Sequence, residues 1–107
     1  MMKIRVDETH SVSGLLQAPS DPVGCLVLAH RAGAGMNHAF MAAVADGLEQ
    51  RQIACLRFQF PYMEAGSKRP DRPPLAQATI RADFAAAGER LPSVSLYLAC
   101  AGRGTVA

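Results

Sequence analysis

The hydrophobic residues are gathered in short runs that predict strands. Nearly continuous apolar runs cover residues 23–29 and 53–58, which is typical of strands buried on both faces of a parallel sheet. Residues 3–6 alternate polar and apolar side chains and predict a short edge strand, and residues 11–17 and 95–99 predict two more strands. The pattern therefore indicates five strands.

Two other stretches carry apolar residues at helical spacing. The stripes are Phe40, Val44 and Leu48 in the first stretch, and Ile80, Phe84, Ala87 and Leu91 in the second. Asn37 can cap the first helix with its side-chain oxygen, and Pro74 suits the first turn of the second helix. Pro92 is expected to end that second helix.

Strands alternate with helices from residue 23 onward, and this order predicts an α/β fold with a mostly parallel sheet and flanking helices. In such sheets ligands bind beyond the carboxyl ends of the strands. The segments predicted to meet at that edge are residues 30–37, 60–66 and 100–104. Their meeting place is the candidate site.

Composition indicates one globular domain over residues 1–107, since half of the residues are hydrophobic and 19% are charged. A formal net charge of +2 is too small to indicate a nucleic-acid partner. The sequence has neither a signal peptide nor an apolar stretch approaching the ~20 residues of a membrane span. We therefore expect a cytoplasmic protein without a membrane partner.

The most informative segment is the run in which the strand at 23–29 leads directly into a loop of small residues. The loop residues are His30, Arg31, Ala32, Gly33, Ala34, Gly35 and Met36. Bare backbone N–H groups in such a loop can stabilise a phosphate or the oxyanion of a tetrahedral intermediate. A dinucleotide site needs a third glycine at position 38, which is His38, and a P-loop needs Gly-Lys-Ser/Thr, which is absent. Both phosphate interpretations are therefore weak.

The run from Leu28 to Met41 and the run Leu56-Arg57-Phe58-Gln59-Phe60-Pro61-Tyr62-Met63-Glu64-Ala65-Gly66 together resemble bacterial proteins of the α/β-hydrolase superfamily. The most similar branch consists of small predicted hydrolases that are broadly like dienelactone hydrolases. The resemblance covers nearly the whole chain but only the N-terminal half of a typical member. It implies a partial α/β-hydrolase fold, truncated after the fifth strand. It also implies hydrolysis of a small ester-like substrate, with residues 30–36 as the oxyanion loop.

The sequence departs from this family pattern at three places. Arg31 stands where the family has glycine, and Gly102 stands at the position of the nucleophilic serine of Gly-x-Ser-x-Gly. No residues after Ala107 supply the acid and histidine that follow in the family. The resemblance is lost after Ala99, which suggests a frameshift or a truncation. The chain is thus expected to carry the oxyanion loop without the triad, and to be inactive alone.

Other candidate residues have structural interpretations as well. Cys100 could replace the nucleophile or be a bystander thiol, and Glu64 could contact substrate because it lies in a loop at the predicted edge. Cys25 and Cys55 lie in apolar runs and are expected to be buried free thiols. The spacing of the cysteines, histidines and carboxylates predicts no metal site, and no cofactor is expected.

Three functional hypotheses therefore remain. The first is a truncated hydrolase, and the second is a non-catalytic interaction module that docks a partner along an exposed last strand. The third is an active cysteine hydrolase that uses Cys100. Because residues 96–99 would form an apolar strand edge, self-association through this strand is also expected.

Overall fold

The computed structural model describes residues 2–30, 39–67 and 69–101. Five strands and three helices are found in these ranges. In chain order they are β1 (Met2–Arg5), β2 (Ser11–Gln17), β3 (Gly24–His30), α1 (Ala39–Gln50), β4 (Ile53–Phe58), α2 (Pro61–Glu64), α3 (Pro73–Arg90) and β5 (Leu96–Ala101). The predicted α/β class is confirmed.

The strands form one sheet in the order β1-β2-β4-β3-β5. Strand β3 pairs in parallel with both β4 and β5, whereas β2 is antiparallel to β4 and to β1. Four strands consequently point in the same direction, so the prediction of a mostly parallel sheet is also confirmed. Strands β1 and β5 are the two edges.

Helices α1 and α3 cover opposite faces of the sheet, because the side chains of each strand alternate between the faces. Cys25 and Val27 belong to the core cluster that contains Ala87 of α3, while Leu28 packs in a second cluster with Met41 of α1. Strand β3 is therefore sandwiched between two helical layers. This explains its nearly continuous apolar sequence.

Helix α3 buries Ala87 of the predicted stripe together with two polar residues outside that stripe. Its fully buried residues are Thr79, Asp83 and Ala87, while Ile80 and Phe84 are only partly buried. The three buried residues are spaced four apart and lie on one face of the helix. The centre of the contact thus runs through Thr79, Asp83 and the predicted Ala87, while Ile80 and Phe84 of the predicted stripe lie at its flank.

Two segments predicted as loops have regular structure. Residues 61–64 form the single-turn helix α2, which begins at Pro61, where the missing N–H of proline removes no helical hydrogen bond. Strand β5 continues through Cys100 to Ala101, because its parallel pairing with β3 extends to the pair His30 and Ala101. Cys100 therefore has a strand backbone rather than a loop backbone.

The hairpin of β1 and β2 is held closely against β4 by Gly14. A Cβ atom at this position would lie 2.7 Å from Cδ1 of Ile4 and 3.3 Å from Cδ1 of Leu56. Any larger residue would therefore require the buried side chain of Ile4 to shift. The glycine brings the antiparallel edge of the sheet into the same core as the parallel strands.

Candidate functional site

The carboxyl ends of β3, β4 and β5 lie side by side at one edge of the sheet. Ala29 is in register with Phe58 of β4, and His30 is in register with Ala101 of β5. The described parts of β3 and β5 consequently end at neighbouring points of this edge. The sequence predicted that these segments converge, and the ends of the three strands confirm it for the described residues.

Most residues of the predicted oxyanion loop lie outside the described residues. These residues are Arg31, Ala32, Gly33, Ala34, Gly35 and Met36, and the same is true of Gly102. His30 and Cys100 are described as backbone within β3 and β5. Their assignment to an oxyanion loop and to a nucleophile position therefore stays a prediction.

Glu64 lies at the expected edge, but both of its carboxylate oxygens have partners in the protein. Ser13 Oγ donates a hydrogen bond to Oε1 over 3.1 Å, and Gln59 Nε2 donates to Oε2. These bonds join α2 to the antiparallel strand β2 and to the end of β4. In this arrangement Glu64 fastens α2 to the sheet, while its exposed side chain still borders the candidate site.

Helix α2 is also held by aromatic and backbone contacts. The ring of Phe60 meets Phe58 edge-on at a centroid distance of 5.3 Å and stacks on Tyr62 at 6.4 Å. The backbone N–H of Tyr62 donates to Oδ2 of Asp71 over 3.1 Å. The rings of Phe58, Phe60 and Tyr62 therefore form a row that connects the buried end of β4 to α2.

A buried arginine near this edge is a feature that the sequence patterns did not reveal. Arg57 is 6% exposed and lies opposite Leu28, on the face of the sheet covered by α1. Its Nη2 donates to Oε1 of Gln17 over 3.4 Å, and Nε2 of Gln17 donates to Asp46 and Glu49 over 2.7 Å each. Gln17 thus connects the guanidinium to two carboxylates of α1.

The two cysteines predicted to be buried free thiols are confirmed as such. Cys25 and Cys55 are fully buried and unpaired. Burial raises the pKa of Cys25, and burial also raises the pKa of Cys55 to about 12. Because the thiolate is the nucleophilic form, both cysteines are unsuited to covalent catalysis at neutral pH.

Asp83 is the most unusual titratable group among the described residues. It is fully buried beneath α3, and neither carboxyl oxygen has a hydrogen-bond partner. Burial raises its pKa to about 8, so the carboxyl group is mostly protonated in the folded chain at neutral pH. Its neighbour on the same face, Thr79, is satisfied because its hydroxyl donates to the Leu75 carbonyl over 2.8 Å.

A separate apolar groove lies at the opposite end of the sheet, where β3 and β4 begin. It has a volume of about 310 Å³ and is lined by Val23, Gly24, Leu26, Leu48, Ile53 and Tyr97. Val23 is 73% exposed and Tyr97 is 60% exposed. The groove adjoins the free edge of β5 and is remote from the ends of the strands where the candidate site lies.

The described residues form neither a metal-binding cluster nor a membrane-spanning helix. Among the described side chains, no group of three or more histidine, cysteine, aspartate or glutamate residues could hold a metal ion. Within the same part of the chain, no helix is long and apolar enough to span a membrane.

Comparisons with solved structures show which fold this sheet belongs to. The chain is similar to the esterase Est1E from Butyrivibrio proteoclasticus, with a TM-score of 0.73 and 16% sequence identity, over 96% of this chain and 41% of that chain. A structure described as ferulic acid bound to Est1E gives a TM-score of 0.75 at 16% identity, over 97% and 43% of the two chains. At this identity the likeness establishes the fold. The chain spans less than half the length of these esterase chains.

Sequence comparison identifies the family. No curated protein matches the sequence. A family model described as an alpha/beta hydrolase domain matches residues 22–105, which are most of the chain and include β3, α1, β4, α3 and β5. The sheet order and the likeness to Est1E agree with this match. The chain therefore belongs to the α/β-hydrolase domain family.

Proposed function

We propose that this chain forms the oxyanion-loop part of an ester or acyl hydrolase domain and lacks the catalytic triad. In this proposal it corresponds to the N-terminal half of a small hydrolase of the dienelactone-hydrolase-like branch. The observation that carries the proposal is the parallel pairing of β3 with β5 up to His30 and Ala101. This pairing supports a site built from the two segments that follow.

The chemistry of the family explains why that juxtaposition matters. In α/β-hydrolases one oxyanion-hole N–H belongs to the residue after the nucleophile, and another belongs to an earlier strand-to-helix loop. Here the earlier loop is residues 31–36, for which we propose the N–H of Ala32 or a neighbour. The matching nucleophile position is Gly102. Glycine has no side chain to attack an acyl carbon, so the chain would hold an oxyanion without generating one.

The expected result is that the chain alone does not hydrolyse esters. We would measure turnover of p-nitrophenyl acetate, and of methyl ferulate because one Est1E structure is described with ferulic acid. Wild type and a Cys100→Ala variant should both match the uncatalysed rate, since neither supplies an activated nucleophile and a base. The Cys25→Ala variant serves as a thiol-removal control, because Cys25 is buried in the core.

Turnover by the wild type that is lost in Cys100→Ala but kept in Cys25→Ala would overturn this proposal. That outcome would instead identify a cysteine hydrolase. Turnover that survives the Cys100→Ala substitution would point to a nucleophile elsewhere in the chain, and would equally contradict the proposal.

A second candidate function is a non-catalytic interaction module that docks a partner along β5. It is favoured by the position of β5 at the edge of the sheet and by the exposed ring of Tyr97. An unpaired apolar strand is a template for a further strand. This edge could be covered by the remainder of a hydrolase domain, by a second copy or by another protein.

A further inference from the structure

The other edge of the sheet, β1, lies beside α3 and forms one wall of a groove. All four residues of β1 line this groove, which has a volume of about 330 Å³. The opposite wall is formed by Ala82, Ala85 and Ala86 of α3, with Glu89 and Arg90 at its end. The groove therefore follows the free edge of a strand over the whole length of that strand.

The backbone of β1 can accept another strand. Strand β1 pairs only with β2, so the peptide groups on its outer side have no strand partner in the described sheet. The alanines of α3 are small and leave space next to this edge. An extended segment that entered the groove would pair with β1 and place alternate side chains against Met2, Ile4 and the alanines.

The charges around the groove are mainly positive. Lys3 and Arg5 are exposed and alternate with Met2 and Ile4, so they project from the face of β1 opposite α3. Arg90 is an exposed third cation at the end of the groove, and Glu89 is the one carboxylate among the residues that line it. Every second side chain of an added strand would therefore lie beside Lys3 or Arg5.

This charge pattern disfavours a second copy of the chain as the occupant. Two β1 strands paired edge to edge would place Lys3 and Arg5 of both copies on one face. Like charges on directly paired strands are destabilising. An acidic segment would meet attraction at the same positions, so charge complementarity selects a different partner.

We propose that the groove between β1 and α3 binds an extended segment of another protein in which acidic and apolar residues alternate. The segment adds to the sheet as a sixth strand next to β1. Its acidic side chains pair with Lys3 and Arg5, and its apolar side chains pack against Met2, Ile4 and Ala86. This binding site is independent of hydrolysis and lies on the opposite edge of the sheet from β5.

The test uses the full 107-residue chain and a synthetic peptide of alternating glutamate and valine with blocked ends. Binding is measured by titration calorimetry, after circular dichroism has shown that each variant is folded. The peptide should bind wild type, and Arg5→Glu should weaken binding about tenfold. The matched control is Arg81→Glu, which makes the same change of charge at an exposed position of α3 that does not line the groove.

A second peptide, N-methylated at every residue, separates strand addition from simple charge attraction. It keeps the charges but cannot donate the backbone hydrogen bonds of a strand, so it should bind at least about tenfold more weakly. Equal binding of the two peptides would overturn the proposal. So would an equal loss in Arg81→Glu and Arg5→Glu, or the absence of binding to the folded wild-type chain.

Discussion

Replacing Asp83 with asparagine is expected to stabilise the folded chain, by an amount that grows with pH. The carboxyl group is fully buried without a hydrogen-bond partner, and burial raises its pKa to about 8 from an ordinary value of 3.8. In the unfolded chain the group ionises at its ordinary pKa, whereas the fold disfavours the ionised form. Stability is therefore complete below the unfolded pKa and is lost as the pH rises through the folded pKa.

The expected size follows from about 1.4 kcal/mol per pH unit, which over the roughly three units from pH 5 to pH 8 amounts to about 4 kcal/mol. The difference in unfolding free energy between Asp83→Asn and wild type should therefore be about 4 kcal/mol larger at pH 9 than at pH 5. A domain of this size has roughly 5–15 kcal/mol of stability in total. Loss of this amount would leave the wild-type chain close to unfolding in alkaline solution.

Urea unfolding followed by circular dichroism at several pH values measures this difference. Asp21→Asn is the matched control, because it makes the same substitution at an exposed position. If the gap between Asp83→Asn and wild type does not vary with pH, the carboxyl group of Asp83 is paired or hydrated in solution, and the description of it as an isolated buried acid is wrong.

Replacing Tyr97 with lysine is expected to convert self-associating chains into monomers. Strand β5 is an edge strand, and its residue Tyr97 is 60% exposed beside the apolar groove that includes Val23. An unpaired apolar strand promotes pairing between copies, and a lysine on an edge strand opposes it through repulsion and hydration. Sedimentation velocity at ~10 µM, a concentration range in which exposed edges associate, should show oligomers for wild type and mainly monomers for Tyr97→Lys.

The control for this experiment is Gln77→Lys, which adds the same charge at an exposed position of α3. This variant should sediment like wild type. A single monomer peak for wild type would show that β5 does not drive association. If Gln77→Lys dissociated the oligomers as well, net charge rather than the strand edge would be responsible.

Much of the fold could be predicted because the number of buried faces of a strand determines its pattern of apolar residues. Strand β3 is covered by α1 on one face and by α3 on the other. Burial on both faces requires a nearly continuous apolar run, which is visible in the sequence. The bounds of β2 and β4 agree with their predicted bounds. The meeting of three strand ends at one edge follows from parallel pairing, which the alternation of strands and helices implied.

The features that could not be predicted depend on contacts between distant residues. The burial of Asp83 is one such feature, because only the contact of α3 with the sheet shows that Thr79, Asp83 and Ala87 form the centre of that contact. The burial of Arg57 depends on Gln17, which is 40 residues away in sequence. Helix α2 is a single turn that is held by the contact of Glu64 with β2. A helix this short has no apolar periodicity that could predict it from the sequence.

The candidate site is predicted less completely than the fold. The sequence predicted the superfamily and the meeting of the strand ends, whereas the assignment of Glu64 to substrate contact stays a prediction beside its bonds to Ser13 and Gln59. A carboxylate in a loop at a sheet edge has the same sequence signature whether it contacts a substrate or a helix. Only the positions of its neighbours distinguish the two roles.

We propose that this α/β-hydrolase chain does not itself contain a catalytic nucleophile. The most direct test is to treat the folded chain with a fluorophosphonate probe for activated serines and with iodoacetamide for activated cysteines, and to locate any adduct by peptide mass spectrometry. We expect no labelling above that of the heat-unfolded chain. Stoichiometric fluorophosphonate labelling of one serine, or rapid iodoacetamide labelling of Cys100, that disappears on unfolding would contradict this proposal and would identify the chain as a hydrolase with its own nucleophile.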